Sequence, residues 1–271
     1  MLLVLKLTLT PLFIGLVSLA GRRWGPAITG WLVGLPLTSG PVIFFLAMER
    51  GEPFAAAAAQ GAIMGLISVA AFCLVYGRVC KRLGWMASTW AGWGAYLAST
   101  LVFARVTLSL PVTFLAAVAA LFLTLALFPR TPAGPITARA PRSEIFLRMF
   151  AATALVLGLT GMAAWMGPSL TGLIAPFPVY STILAAFTQR AEGGEAAARL
   201  LRGVVLGSFT FALFFFVLAG ALQRLSTAPA FGLACLAAVL LHSCLLYRVA
   251  LDNGEIRNSS GRPSKQSPSE P

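Results

Sequence analysis

The chain has one histidine, His242, which lies within an apolar stretch at 228–249 and is followed by Ser243. Histidine titrates near neutral pH, and an ionisable side chain inside a membrane helix is a functional candidate by default. No acid shares its stretch and Arg248 follows six residues later, so a hydrogen-bonded structural role is the plainer account. Two prolines, Pro36 and Pro178, interrupt the apolar stretches 27–48 and 168–188. A proline inside a helix removes a backbone donor and clashes with the carbonyl four residues back. In lipid the freed carbonyls must find partners or line a polar cavity. Thr38 and Ser39 flank the first break, and Tyr180, Ser181 and Thr182 flank the second. Matched interruptions in two halves of a membrane protein point to a central transport site. The candidate substrate path is therefore Pro36, Thr38, Ser39, Pro178, Tyr180, Ser181, Thr182 and His242. The alternative is that Pro and Gly serve only close helix packing, as they commonly do in membranes.

The acids constrain the chemistry by their placement. Glu49, Glu52, Glu144, Glu192, Glu195, Asp252, Glu255 and Glu270 fall in loops, at helix ends or in the tail. None is placed mid-bilayer, which argues against a carboxylate-based proton or sodium pump. The cysteines Cys73, Cys80, Cys235 and Cys244 lack metal-ligand spacing and are expected to be free thiols. No P-loop, dinucleotide fingerprint or HExxH motif is present. The expectation is no catalytic residue, no cofactor and no metal, hence not an enzyme. Lys6, Arg105 and Arg224 lie in or beside apolar stretches, where a long cationic side chain snorkels to the interface.

The elements that must position these residues follow from composition. Of 271 residues, 58% are hydrophobic and only 10% charged, with a mean hydropathy of +0.86. A soluble domain carries roughly 25% charged residues, so a soluble globule, a coiled coil and a disordered chain are all excluded. The formal charge of +12 is too thinly spread to form a nucleic-acid-binding face. A bilayer core of about 30 Å takes about 20 apolar residues per helix. Nine stretches qualify: 2–20, 27–48, 55–77, 84–104, 108–128, 145–166, 168–188, 199–222 and 228–249. The first has its basic pair, Arg22 and Arg23, after the apolar run, so it reads as an uncleaved helix and not as a secretory signal.

Nine spans place alternate loops on opposite sides. One side receives Arg22, Arg23, Arg78, Lys81, Arg82, Arg130, Arg139, Arg142, Arg148, Arg190, Arg199, Arg202, Arg248, Arg257, Arg262 and Lys265; the other receives only Lys6, Arg50, Arg105 and Arg224. The positive-inside rule makes the rich side cytoplasmic. This predicts an N-terminus outside and a C-terminus inside.

The sequence also matches itself at a constant offset of 142. Gly25-Pro26-Ala27-Ile28-Thr29-Gly30 returns as Gly167-Pro168-Ser169-Leu170-Thr171-Gly172, and Pro36, Ser39, Gly51, Gly61 and Gly65 return as Pro178, Ser181, Gly193, Gly203 and Gly207. Between 25 and 75, 15 of 51 positions are identical at this offset. An all-α membrane protein of 4+1+4 helices follows, with an extra span inverting the second copy. The units are a first four-helix repeat at 1–107, a linking helix at 108–128 and a cytoplasmic loop at 129–143. A second, inverted repeat follows at 144–250, then a disordered cytoplasmic tail at 251–271. Gly61 with Gly65, and Gly203 with Gly207, make a small-xxx-small pair in each copy, a pattern that brings helices close.

The pattern Gly30-x5-Pro36 followed by Glu49-Arg50-Gly51, and Gly172 to Pro178 in the second copy, resembles the small four-helix GlpM-like bacterial membrane proteins. The resemblance covers about 50 residues per copy. It departs where Glu49-Arg50-Gly51 becomes Ala191-Glu192-Gly193. It implies a multi-pass protein of the bacterial inner membrane in which two such units are fused, and it implies no established activity.

The reading is a transporter of a small molecule, ion or lipid with a central site between the repeats. The alternative is a non-transporting membrane scaffold or accessory subunit. The expected partners are the lipid bilayer, with anionic lipid at the cytoplasmic face, and an unknown solute. No nucleic acid is expected, and homo-oligomerisation is left open.

Overall fold

The computed structural model describes residues 2–36, 39–103, 106–129, 145–158 and 177–260, with the backbone alone described at 2–7, 9 and 245–260. The described residues fold as helices joined by short turns and form no strand: α1 (Leu2–Trp24), α2 (Pro26–Val33), α3 (Ser39–Arg50), α4 (Glu52–Val79), α5 (Trp85–Phe103), α6 (Leu110–Leu127), α7 (Ile145–Gly158), α8 (Val179–Glu192), α9 (Gly194–Ala221) and α10 (Thr227–Ser260). Several begin at a turn residue followed by proline, as in Gly25-Pro26, Gly51-Glu52-Pro53 and Ser109-Leu110-Pro111. The missing proline N–H falls where a helix has no partner for it anyway.

Four described helices are long and apolar enough to cross a bilayer: α4, α6, α9 and the Thr227–Cys244 part of α10. Within the expected second span, 27–48, α2 ends at Val33, residues 34–36 are not helical and α3 begins at Ser39; residues 37–38 lie outside the described residues. α10 continues to Ser260, into the stretch expected as tail. Its sequence holds no proline between Pro229 and Pro263 to stop it sooner.

The bundle is built around α4 and α9, each 28 residues long and hence about 42 Å. α5 and α6 pack on α4, while α2, α8 and α10 pack on α9. Polarity is arranged for lipid. Large apolar side chains face outward, among them Leu16, Trp90, Leu115, Phe122, Leu236 and Leu240, whereas hydroxyls sit inside. Four of the buried hydroxyls are satisfied locally: Thr29, Thr100, Thr113 and Ser208 each donate to the carbonyl four residues back.

The seam between α2 and α9 has almost no side chains. A Cβ added at Gly30 would meet the Leu200 carbonyl, one at Gly203 the Ala27 carbonyl, and one at Gly207 the Trp31 carbonyl; one at Gly34 would lie 2.7 Å from Gly207 Cα. Backbone lies directly on backbone there, as small residues permit.

Turns gather at two ends. At one, Cys80 and Lys81 touch Gly194 and Glu195, Gln189 Nε2 donates to the Cys80 and Leu83 carbonyls at 2.9 and 2.7 Å, and Arg78 donates to Leu127 O. At the other, Thr227 donates to Glu52 Oε1 at 3.1 Å and Gln60 donates to Leu108 O at 2.7 Å.

Helix bounds recur at one offset. α4 and α9 start 142 residues apart and are equally long, and α5 and α10 also start 142 apart. The turns agree in detail. Arg82 N donates to Val79 O and Leu83 N to the same carbonyl; Arg224 N and Leu225 N do the same to Ala221 O.

Candidate functional site

At the first break, Gly34 ends α2 in right-handed conformation and bonds back to Gly30 O, and Pro36 O accepts from Gly40 N at 2.9 Å to begin α3. The two helices are thus offset around a proline without leaving the Pro36 carbonyl unpaired. The bend opens a cavity of about 530 Å³ between α3, α9 and α10. That volume falls within the range of small-molecule sites, about 300–1,000 Å³.

The lining is overwhelmingly apolar, with Pro36, Pro41, Phe44, Phe214 and Phe231 forming much of the wall. Val239 on the rim is 61% exposed, so the cavity opens to the outside of the bundle. Its polar groups lie toward the break. His242 lines the cavity and stacks flat on Trp31, ring centroids 3.8 Å apart and planes within 8°. Its Nδ1 is buried and has no hydrogen-bond partner among the described residues; the same is true of Thr210 Oγ1, although Thr210 is only 1% exposed. A buried polar atom without a partner carries a desolvation cost of about 1–3 kcal/mol. The cavity thus offers an apolar chamber with two unsatisfied polar atoms at its inner end.

The sequence-predicted residues divide between two places. Pro36 and His242 meet at this cavity. Ser39 opens α3 but is not part of the lining, and Thr38 lies outside the described residues. The second break is elsewhere. Pro178 is buried just before α8, and its carbonyl accepts from Thr182 N at 2.9 Å, the counterpart of the Pro36–Gly40 bond. Around it the packing is closed: Phe177 meets Trp93 and Tyr96 edge-on, Tyr180 meets Phe13 edge-on, and Tyr180 Oη lies 3.2 Å from Thr10 Oγ1. Trp93 Nε1 donates to Thr182 Oγ1 at 3.2 Å, and Ser181 is buried. The Tyr180 and Thr182 hydroxyls therefore meet α1 and α5, and neither they nor Ser181 line the cavity at Pro36. Gly203 and Gly207 lie in the α2–α9 seam and Gly65 is buried in α4, whereas a Cβ at Gly61 would meet nothing within 4 Å.

Thr210, Trp31 and the three phenylalanines were not singled out by the sequence. One signal was present for Thr210: the position 142 residues earlier is Ser68, another hydroxyl.

The fold and cavity define the class, a helical membrane protein with a laterally open apolar site beside a broken helix. No protein-family model matches the chain, and no curated protein or solved structure matches it.

Proposed function

We propose that this chain is a multi-pass transporter of the bacterial inner membrane that carries an amphipathic small molecule or lipid in the cavity at the Pro36 break. In this reading nine spans form two inverted four-helix repeats, each a GlpM-like unit, joined by α6, with the basic end in the cytoplasm. The carrying observation is the cavity itself, because it joins an apolar chamber open toward lipid to the unpartnered Thr210 Oγ1 and His242 Nδ1. An amphipathic guest satisfies both halves at once. Its apolar part lies against Phe44, Phe214 and Phe231, and its polar part takes the hydrogen bonds that Thr210 and His242 lack. The common offset of the helix bounds supports the two-repeat architecture.

A scaffold or accessory role is the second reading, favoured by the closed packing at Pro178. One experiment separates the two. A strain lacking the protein is complemented with wild type or with Ala238→Trp, which fills the cavity, and its lipids and metabolites are profiled. Transport predicts that wild type restores the profile and the tryptophan variant, at equal abundance, does not. Full complementation by Ala238→Trp, or a deletion that leaves every lipid and solute unchanged, overturns the reading.

A further inference from the structure

A second and much smaller site lies at the basic end of the bundle, where α1, α2, α7 and α8 converge. A polar pocket of about 20 Å³ is lined there by Ser18, Arg22, Thr29, Arg148, Thr188 and Glu192. A space of this size admits one water-sized group.

The local fold explains why these side chains meet. Gly21 leaves no room for a side chain, since a Cβ there would strike Thr29 Oγ1. α1 therefore ends close against the first turn of α2, and Gly25, in left-handed conformation at φ 88°, turns the chain back. This brings Arg22 into the gap between helices, while the neighbouring Arg23 points out over Trp24, its guanidinium carbon 5.8 Å from the ring. Arg148 enters from α7. It is only 5% exposed and lies 5.6 Å from the Phe187 ring centroid.

Two polar atoms on the wall have no hydrogen-bond partner among the described residues: Ser18 Oγ, on a residue 3% exposed, and the buried Nη1 of Arg22. Thr29 Oγ1 donates to Gly25 O at 3.0 Å, which leaves its lone pairs but not its proton for a guest. The charged groups on the lining are Arg22, Arg148 and the single carboxylate of Glu192, an excess of one positive charge. The site thus offers a guanidinium N–H and a hydroxyl, both buried and unused, to one oxygen-sized acceptor in a positive field. Charge-assisted bonds of this kind favour carboxylate and phosphate oxygens.

We infer that this pocket binds one oxygen of a phosphate group, held by Arg22 Nη1 and Ser18 Oγ, with the rest of the phosphate outside the pocket mouth. The inference does not depend on transport. The phosphate belongs either to an anionic lipid headgroup, since Arg22 ends an apolar helix, or to a free solute. The common chemistry is the oxyanion, and the two sources are separable.

The test uses the full-length protein purified in neutral detergent and follows its melting temperature. One arm adds phosphatidylglycerol against phosphatidylcholine. The other adds sodium phosphate against sodium chloride at equal ionic strength. Stabilisation by phosphatidylglycerol alone identifies the headgroup, and stabilisation by inorganic phosphate identifies the free anion. In either case Arg22→Gln and Ser18→Ala are expected to weaken the response, Arg22→Gln by about tenfold in apparent affinity, the loss of one charge-assisted bond. Arg23→Gln, which removes the same charge from an exposed neighbour, is expected to leave it unchanged. If Arg22→Gln does not fold, Ser18→Ala carries the test alone. The inference is overturned if neither probe shifts the wild-type protein, or if the Ser18 and Arg22 variants respond like Arg23→Gln.

Discussion

Gly51 and Gly193 stand 142 residues apart and hold the same backbone conformation, φ 86° and ψ 165° at one and φ 87° and ψ 172° at the other. Each is the residue before a 28-residue helix, and each bonds back to the residue four earlier, Ala47 and Gln189, at 2.9 and 3.0 Å. This region of backbone space is open almost only to glycine.

Alanine at either position is expected to destabilise by roughly 1–3 kcal/mol. Steric contact is not the cause, because a Cβ at Gly193 meets nothing within 4 Å and one at Gly51 only Pro53 at 3.8 Å. The two variants should therefore lose similar amounts in thermal melts. Unequal losses, with one position indifferent, would contradict the backbone account.

Substitutions in the glycine seam are expected to behave differently. Gly30→Ala and Gly203→Ala place a methyl against a carbonyl of the opposite helix, which costs roughly 1–3 kcal/mol as overpacking. Gly61→Ala adds a methyl to open space and raises helix propensity, so it is expected to be neutral or to stabilise by up to about 1 kcal/mol. Abundance and melting temperature of the three variants in one detergent would check the order.

Cys80 is buried, and its thiol donates to Gly194 O at 3.2 Å and Gly77 O at 3.4 Å. Burial pushes its pKa up to about 11. Because the pKa is raised, the thiol stays protonated through the neutral range, and its reactive thiolate is on the order of a thousandth of the population at pH 8. Maleimide labelling of Cys80 at pH 7 to 9 is therefore expected to be slow in the folded protein and fast after denaturation. Equal labelling of Cys80 in the two states, read by peptide mapping, would show that this turn opens readily.

The clustering of turns predicts sidedness. Lys81 lies 3.5 Å from Glu195, so cysteines placed at 81 and 195 should react from one face of the membrane. Cysteines at Glu52 and Gln223, both beside the turns at the opposite end, should react from the other. Labelling with an impermeant maleimide in intact and lysed cells tests this, with the basic end expected inside. Reaction of positions 52 and 195, which lie at the starts of the matched helices α4 and α9, from the same face would overturn the inverted arrangement.

Much of the fold was legible because glycine and proline act locally. Pro36 follows the end of α2, although Pro11 is carried inside α1, and Gly51 and Gly193 mark helix starts through their own backbone preferences. Facing was not legible. In a membrane bundle the lipid side and the packed side are both apolar, so the periodicity that orients a soluble helix is nearly absent. Gly61 and Gly203 occupy matched positions and share the same spacing motif, yet one meets nothing and the other meets backbone. Arg148 was lost for a related reason. In the sequence it counts only as one of the cytoplasmic-side cations, and only the packing of α1, α2 and α8 shows that it is enclosed beside Arg22.

The seam of bare backbone between α2 and α9 has a mechanical corollary. Where backbone meets backbone at Gly30, Gly203 and Gly207, no side-chain rotamer can relax to absorb a shift, so sliding of α2 along α9 is resisted there. α3 lies past the Pro36 bend and borders the cavity through Gly40, Pro41, Phe44 and Phe45. Its Ile43 and Ala47 are buried in the core it shares with α4, so α3 is held on α4 while its phenylalanines border the chamber.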